Sequence, residues 1–411
     1  MKRIFLTAVS MLLCMTATQA QFKGELALSQ EFINKNLHDG GKQLKYLAEQ
    51  TPEDRMPRTF QNGKQQPSNT GWWTSGFFPG TLLYAYEGTG DTTFLALSKD
   101  KLRILEKEKN NKSTHDLGFM IFCSFGNALR LTGDSTAYKE ILTTGAASLA
   151  TRFSPVTKTI RSWDHGKWSF PVIIDNMMNL EFLTQVSKIT GDKKYATLAK
   201  VHANTTMANH FRKDYSSYHV VDYDTLSGKA RAFETAQGAF DESAWARGQA
   251  WALYGYTMMF RETKDKKYLK FARHIANFYL THPNLPKDLI PYWDFNQDKI
   301  SSDSKYYPYK DLRDVSTASV VASSLLELSS YTKGEEATNY MRKAEHMLKS
   351  LSSPAYQAAY GENGGFILKH SVGSIPHNTE IDVPLTYADY YYLEALIRYD
   401  RLLKGKPVIL F

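Results

Sequence analysis

Two kinds of long hydrophobic segment alternate along the chain. One kind carries Lys and Glu on a single face, as in KKYATLAKVHANTTMANHF (193–211), which is typical of a helix with one buried side. The other kind is apolar, aromatic and small all round, which predicts a buried helix. Segments of this second kind begin at WWTSGFFPG (72–80), THDLGFMIF (114–122), IIDNMMNLEF (173–182), SAWARGQAWALYGY (243–256), DVSTASVVASSLLEL (314–328) and DVPLTYADYYYLEALIRY (382–399).

Short turns of similar composition separate the two kinds of segment. Gly-Asp pairs occur at 90–91, 133–134 and 191–192, and the residues around Asp265 and Gly334 have the same character. Glycine suits the left-handed residue that ends a helix, and aspartate suits the cap of the next helix. The turns therefore predict helix–turn–helix joints.

Six inner helices alternating with six outer ones predict an all-α protein, an (α/α)6 barrel with loop insertions. Strand-like pieces such as YHVVDYDT (218–225) and GGFILKHS (364–371) fit those insertions. An open helical superhelix is the alternative arrangement. We predict a single catalytic domain over residues 21–411.

The N-terminus has the pattern of a secretory signal. Lys2 and Arg3 precede an apolar stretch, and small and polar residues follow it up to Ala20. The chain is therefore predicted to lose residues 1–20 and to reach the periplasm. Leu13 stands where a lipid-attachment motif needs a small residue, which argues against an anchor at Cys14.

Composition and charge narrow the function. The chain is 42% hydrophobic and 13% aromatic, ample for a large core, and removing Lys2 and Arg3 lowers its formal charge from +8 to +6. That balance is compatible with an acidic ligand. Basic clusters interleaved with aromatics are missing from the sequence, so we expect no nucleic-acid partner, and no apolar run is long enough to span a bilayer. Monomer and dimer both remain open.

Polar and aromatic residues gather where the inner helices are predicted to start. In a barrel of this kind those starts surround one end of a cavity, and aromatic faces with carboxylates suit a sugar ligand. The residues are Trp72, Trp73, His115, Asp116, Asp175, Asn176, Ser243 to Arg247, Asp314 and Asp382.

Asp175 and Asp116 are the candidate acids. An aspartate at a helix start is also an ordinary cap, so each residue alone leaves both interpretations open. Two carboxylates in one cavity allow one to stay protonated while the other is charged. Arg247 has two interpretations as well, an anion-binding residue or one half of an internal ion pair with an aspartate.

Motifs of other enzyme classes are missing from the sequence. The spacing of His, Cys and Asp residues does not match a metal site, and phosphate-binding and dinucleotide-binding fingerprints do not occur. We therefore expect neither a metal nor another cofactor.

Three motifs resemble the unsaturated glucuronyl hydrolases of glycoside hydrolase family 88. They are THDLGFM (114–120), WSFPVIIDNMMNLEFL (168–183) and DESAWARGQAWALYGY (241–256), with the Gly-Asp turns between them. The resemblance implies the (α/α)6 barrel, Asp175 as general acid/base and Asp116 as the second essential aspartate. It implies further that His115, Trp163, His219, Gln237, Trp245, Arg247 and Trp251 bind substrate, and Trp73 of the aromatic rim is predicted to do so as well.

The resemblance implies an unusual reaction. Family members act on oligosaccharides left by polysaccharide lyases, whose terminal uronic acid has a C4=C5 double bond. Protonation at C4 is followed by addition of water at C5, and the hemiketal opens to release the remaining sugar. A single acid with a raised pKa suffices for this, and partial burial beside a charged Asp116 would raise the pKa of Asp175.

One departure concerns sulfated substrates. Some relatives bind sulfate with a Ser-x-x-Ser-x-Lys segment; here Ser371 and Ser374 are present, but Pro376 occupies the lysine position. Ser371 and Ser374 are still predicted to contact the substrate.

Rival functions are an unsaturated rhamnogalacturonyl hydrolase acting on pectin fragments, an ordinary inverting glycosidase, and an exported sugar-binding protein without catalysis. The Trp72-Trp73 pair and RGQAW (247–251) favour the glucuronyl enzymes.

Overall fold

The computed structural model describes Phe22 and residues 24–411, so the predicted signal segment lies outside it. Across the described residues, twelve α-helices are the main secondary structure. They are α1 (Gln30–Gln50), α2 (Phe77–Thr89), α3 (Thr92–Leu105), α4 (Asn127–Thr132), α5 (Ser135–Ala150), α6 (Asn179–Thr190), α7 (Lys193–Asn209), α8 (Ala246–Thr263), α9 (Lys266–Thr281), α10 (Val315–Ser329), α11 (Gly334–Leu351) and α12 (Thr386–Leu403).

The even-numbered helices form an inner ring and the odd-numbered ones lie outside it. Every residue of α10 is buried, whereas α9 and α11 bury only one face. Contacts run from α2 through α4 and the π-helix before it (Gly118–Gly126) to α6, α8, α10 and α12, and α12 returns to pack on α2. The ring is therefore closed. The predicted (α/α)6 barrel is confirmed, and the open superhelix is wrong.

Four of the five predicted joints between inner and outer helices have the expected chemistry; at the fifth, Gly334 instead begins α11, whose N-cap Lys333 makes no side-chain bond. Gly90, Gly133 and Gly191 are left-handed and end their helices, and the following Asp91, Asp134 and Asp192 cap α3, α5 and α7 through their side chains. Lys264 and Asp265 do the same before α9. These local signals explain why the hairpins are readable from sequence.

In the described part of the chain, nine short strands lie in the insertions between helices. They are β1 (Met56–Gln61), β2 (Lys64–Ser68), β3 (Phe153–Ser154), β4 (Thr159–Ile160), β5 (Pro171–Ile173), β6 (Val220–Tyr223), β7 (Ala230–Glu234), β8 (Ser371–Ser374) and β9 (Thr379–Val383). They pair as β1–β2, β3–β4, β5–β6–β7 and β8–β9, all antiparallel. The prediction for 218–225 is confirmed; in 364–371 only Ser371 belongs to a strand.

Two short helical segments carry the candidate acids into the barrel mouth. The π-helix begins just after Asp116, and a 3₁₀-helix (Ile174–Met178) that contains Asp175 precedes α6. Gly118 lets these segments approach closely, because a Cβ there would lie 2.6 Å from Oδ1 of Asn179. That same oxygen accepts a hydrogen bond from the Gly118 N–H at 2.8 Å, which fixes the two acid-bearing segments to each other.

Candidate active site

A cavity of about 520 Å³ opens at the end of the barrel where the inner helices begin. Its walls come from five of the inner-helix starts, from the loop before β5 and from the β8–β9 hairpin. Lining residues predicted from sequence are Trp72, Trp73, His115, Asp116, Trp163, Asp175, Gln237, Arg247 and Ser374. The structure therefore brings both candidate acids to one cavity.

Asp175 lines this cavity and is 7% exposed. Its side chain does not cap the 3₁₀-helix, and its Oδ2 has no hydrogen-bond partner among the described residues. Burial is the main reason that the pKa of Asp175 rises to about 7; the negative charge of Asp116 raises it further, and Arg247 opposes both. The predicted direction of the shift is confirmed.

His219 faces Asp175 as a neutral donor. Its Nδ1 accepts hydrogen bonds from the backbone N–H groups of Ala236 and Gln237, at 3.0 and 3.2 Å. Burial lowers the pKa of His219 to about 3, so its single ring proton is on Nε2. That nitrogen lies 3.8 Å from Oδ2 of Asp175, outside hydrogen-bond distance. His219 does not line the cavity, and its Nε2–H is a buried donor without a partner among the described residues.

His115 is positioned by an asparagine and Asp116 by a threonine. The amide of Asn176 donates to the Ile160 carbonyl and the Ser162 hydroxyl, both at 2.9 Å, which leaves its oxygen to accept from Nδ1 of His115 at 3.0 Å. Oδ2 of Asp116 accepts a hydrogen bond from the Thr114 hydroxyl at 2.7 Å. Burial lowers the pKa of His115, which favours its neutral form.

Arg247 forms the internal ion pair that was one of its two interpretations. Nη1 donates to Oδ2 of the fully buried Asp314 at 2.8 Å, and the guanidinium also donates to the carbonyls of Val372 and Gly373. The pair is buried at the cavity wall, where the positive charge acts on Asp175. A direct contact of Arg247 with substrate stays a prediction.

The predicted aromatic residues divide into two groups. Trp73 and Trp163 line the cavity. Trp245 and Trp251 lie behind it: the Trp245 ring packs 4.7 Å from the ring of His219 and 4.6 Å from the Arg247 guanidinium, and Trp251 is fully buried. Trp245 therefore holds His219 and Arg247 in place from behind the cavity.

Three predicted substrate-binding residues lie at the β8–β9 hairpin: Ser371 and Ser374 within β8, and Gln237 bonded to it. Gln237 lines the cavity and donates to the Gly373 carbonyl at 3.1 Å, and Ser374 lines it with its hydroxyl 2.7 Å from Nδ1 of His377. Ser371 is fully buried and does not line the cavity. Substrate contact by Ser371 does not fit this position.

Asp382 is the residue that the sequence placed wrongly at an inner-helix start. It lies in β9, has a left-handed φ of 53°, and contacts His370 on the surface at 2.7 Å. Helix α12 begins four residues later, at Thr386, so Tyr387 lines the cavity in its place. Pro384, just ahead of the helix, was the available signal, because proline favours positions before or at a helix start.

Other lining residues were not predicted as site residues. Trp168, His377 and Glu380 come from loops and the β8–β9 hairpin, where no periodicity reports on side-chain direction. Glu380 is held by the Arg58 guanidinium at 2.6 Å, and that guanidinium lies 4.5 Å from the Trp72 ring. In the described part of the chain, no cluster of three or more His, Cys, Asp or Glu residues could hold a metal.

A buried acid with a near-neutral pKa, a second carboxylate beside it and an aromatic cavity on an (α/α)6 barrel define a glycoside hydrolase. The family model described as Glycosyl Hydrolase Family 88 matches residues 47–279. The chain belongs to this family.

Relatives of known sequence and structure agree. The chain is 47% identical to an unsaturated glucuronyl hydrolase of Formosa agariphila over 80% of each protein. It is 32% identical to an unsaturated chondroitin disaccharide hydrolase of Streptococcus pneumoniae over 89% of this chain and 90% of that protein. A crystal structure of an unsaturated glucuronyl hydrolase specific for heparin superimposes with a TM-score of 0.86 at 49% identity, covering 92% of this chain and all of that one.

The pKa of Asp175 predicts the pH dependence of turnover. A proton donor works only when protonated, so kcat is expected to fall as the pH rises through about 7. The pKa values of His115 and His219 are lowered by burial, so both rings stay neutral across this range. Measuring kcat from about pH 5 to about pH 9 checks this; a kcat that rises on the alkaline side would contradict it.

Proposed function

We propose that the enzyme removes the terminal Δ4,5-unsaturated glucuronic acid from oligosaccharides that lyases release from glycosaminoglycans. The observation that carries this proposal is Asp175, a buried acid whose pKa is about 7 and which lines a sugar-sized cavity. The family and the names of its relatives support the glucuronyl substrate over a pectin fragment. The paired acids also argue against a sugar-binding protein without catalysis.

The reaction begins with proton transfer from Asp175 to C4 of the vinyl ether. The π electrons of the C4=C5 bond form the new C4–H bond, and the positive charge left at C5 is shared with the ring oxygen. Water then adds at C5 and its proton returns to the Asp175 carboxylate. The resulting hemiketal opens, and the open-chain sugar releases the remaining oligosaccharide from C1. Asp175 ends protonated, as it began.

The surroundings of Asp175 suit both halves of this cycle. Burial keeps the acid protonated before the reaction, while the nearby positive charge of Arg247 stabilises the carboxylate after proton transfer. The Nε2–H of His219 faces the same carboxyl oxygen and can donate to the entering water or to a sugar hydroxyl. The carboxylate of Asp116 would stabilise the cation at C5.

The double bond provides the assay. Hydration removes the conjugated chromophore, so the ultraviolet absorbance of unsaturated disaccharides from chondroitin, hyaluronan and heparin should decay with enzyme. Unsaturated galacturonyl-rhamnose from pectin tests the rival family, and saturated nitrophenyl glucuronide tests an ordinary glycosidase. We expect decay with glycosaminoglycan products. Turnover of the nitrophenyl compound alone, or flat traces with every unsaturated disaccharide, would refute the proposal.

We propose further that residues 1–20 direct the chain to the periplasm. Charged, apolar and small-residue regions in that order support this. Within the described residues, no helix is long and apolar enough to cross a membrane. N-terminal sequencing of the protein expressed in a Gram-negative host should find Gln21 first; an intact Met1 in a cytoplasmic fraction would contradict export.

A further inference from the structure

Four buried polar atoms around the cavity have no hydrogen-bond partner among the described residues. They are Oδ2 of Asp175, Nε2 of His219, Nε1 of Trp251 and the hydroxyl of Tyr387. A buried polar atom without a partner is costly unless a ligand or water completes it. The first three belong to residues for which the sequence already predicts a role, so Tyr387 is the one that still needs an explanation.

Tyr387 is held rigidly against the cavity. It is the second residue of α12 and is 1% exposed. Its ring centre lies 4.9 Å from that of Trp73 and 5.8 Å from that of Phe77, so aromatic neighbours fix the orientation of the ring. The Arg247 guanidinium lies 5.3 Å from the same ring centre. The ring is thus fixed beside the buried cation of the site, and its hydroxyl is buried without a partner among the described residues.

Arg247 combines bonds to the protein with a positive charge at the cavity wall. Its two terminal nitrogens donate to Asp314 and to the carbonyls of Val372 and Gly373. An anion attracted by this positive charge would gain a further hydrogen bond from a neighbouring donor. Tyr387 can supply it, because burial holds the pKa of its hydroxyl well above the usual range and keeps the O–H protonated.

We propose that Tyr387 donates a hydrogen bond to the carboxylate of the unsaturated uronic acid and so helps the enzyme to select acidic substrates. This inference rests on the proposed function. The carboxylate is attached to C5, the neighbour of the carbon that Asp175 protonates. A carboxylate held between Tyr387 and Arg247 therefore directs the C4=C5 bond toward Asp175. Tyr387 is then a specificity-determining residue of the uronate subsite.

The test compares Tyr387→Phe with the unchanged enzyme on two substrates, an unsaturated disaccharide and its uronate methyl ester. Phenylalanine keeps the ring and removes only the hydroxyl. A hydrogen bond to a charged group predicts that kcat/KM on the acid falls about ten- to a hundredfold, mainly through KM. On the ester, which has no carboxylate charge, the two proteins should agree within about threefold.

Tyr392→Phe is the matched control. Tyr392 lies on the same helix, and its hydroxyl bonds to Ser352 at 2.7 Å, away from the cavity. This variant should keep the activity of the unchanged enzyme on both substrates, and thermal unfolding of both variants shows whether either is misfolded.

Four results would overturn the inference. Unchanged kcat/KM of Tyr387→Phe on the acid would show that the hydroxyl does not bind substrate. Equal losses on acid and ester would point to a structural role, and a fall in kcat alone on both would point to the attacking water. An unchanged enzyme that is inactive on every unsaturated disaccharide would overturn the proposed function and this inference together.

Discussion

An Asp175→Asn variant is expected to lose at least about a thousandfold in kcat while KM changes little. The amide has nearly the same shape but no acidic proton to give to C4 and no carboxylate to take a proton from water. The absorbance decay of an unsaturated disaccharide measures kcat, and isothermal titration with the same disaccharide measures binding. Because the cavity walls are unchanged, binding should persist.

Stability distinguishes a lost proton donor from a damaged fold. Asp175 has a pKa of about 7 in the folded protein against an ordinary value of 3.8. Its burial therefore lowers the free energy of unfolding progressively as the pH rises from the second value to the first. Asparagine has no such cost. The Tm of the variant relative to the unchanged protein should therefore be higher at about pH 8 than at about pH 5.

Asp389→Asn is the matched control for Asp175→Asn. Asp389 is also buried, and burial also raises its pKa to about 7, but its carboxylate accepts from the N–H groups of Ile367 and Leu368 outside the cavity. This variant should lower the Tm and leave kcat within a few-fold. Substantial turnover by Asp175→Asn, or an equal loss of kcat by Asp389→Asn, would remove Asp175 from its proposed role.

Arg247→Gln is expected to destabilise the protein by about 3–5 kcal/mol, because it leaves Asp314 as a buried charge without its partner. The carbonyls of Val372 and Gly373 lose donors as well. The variant should also move the alkaline fall in kcat to higher pH, since the arginine charge lowers the pKa of Asp175. Urea unfolding and the pH profile of kcat measure the two effects.

Two further variants give this prediction its controls. Arg247→Gln combined with Asp314→Asn removes both charges and should recover part of the lost stability. Arg273→Gln breaks a surface pair with Glu336 and should cost less than about 1 kcal/mol. If the double variant were as unstable as the sum of its single changes, the pair would not be the source of the effect.

The alternation of inner and outer helices was determined by the sequence itself. Helix periodicity is local, and so are the Gly-Asp joints at 90–91, 133–134 and 191–192, where one residue ends a helix and the next caps another. The same local logic put Asp116 and Asp175 near the starts of inner helices. It failed at α12, where the β8–β9 hairpin carries Asp382 away and Thr386 begins the helix, so Tyr387 was missed.

Tertiary structure decided what local sequence cannot encode. Closure of the ring depends on α12 packing against α2, two segments separated by most of the chain. The partner of Arg247, the side to which Ser371 points, and the burial that raises the pKa of Asp175 depend likewise on residues distant in sequence. All of these features share one physical reason. Solvent exclusion and charge pairing are properties of the assembled barrel, whereas helix caps and periodicity belong to a few consecutive residues.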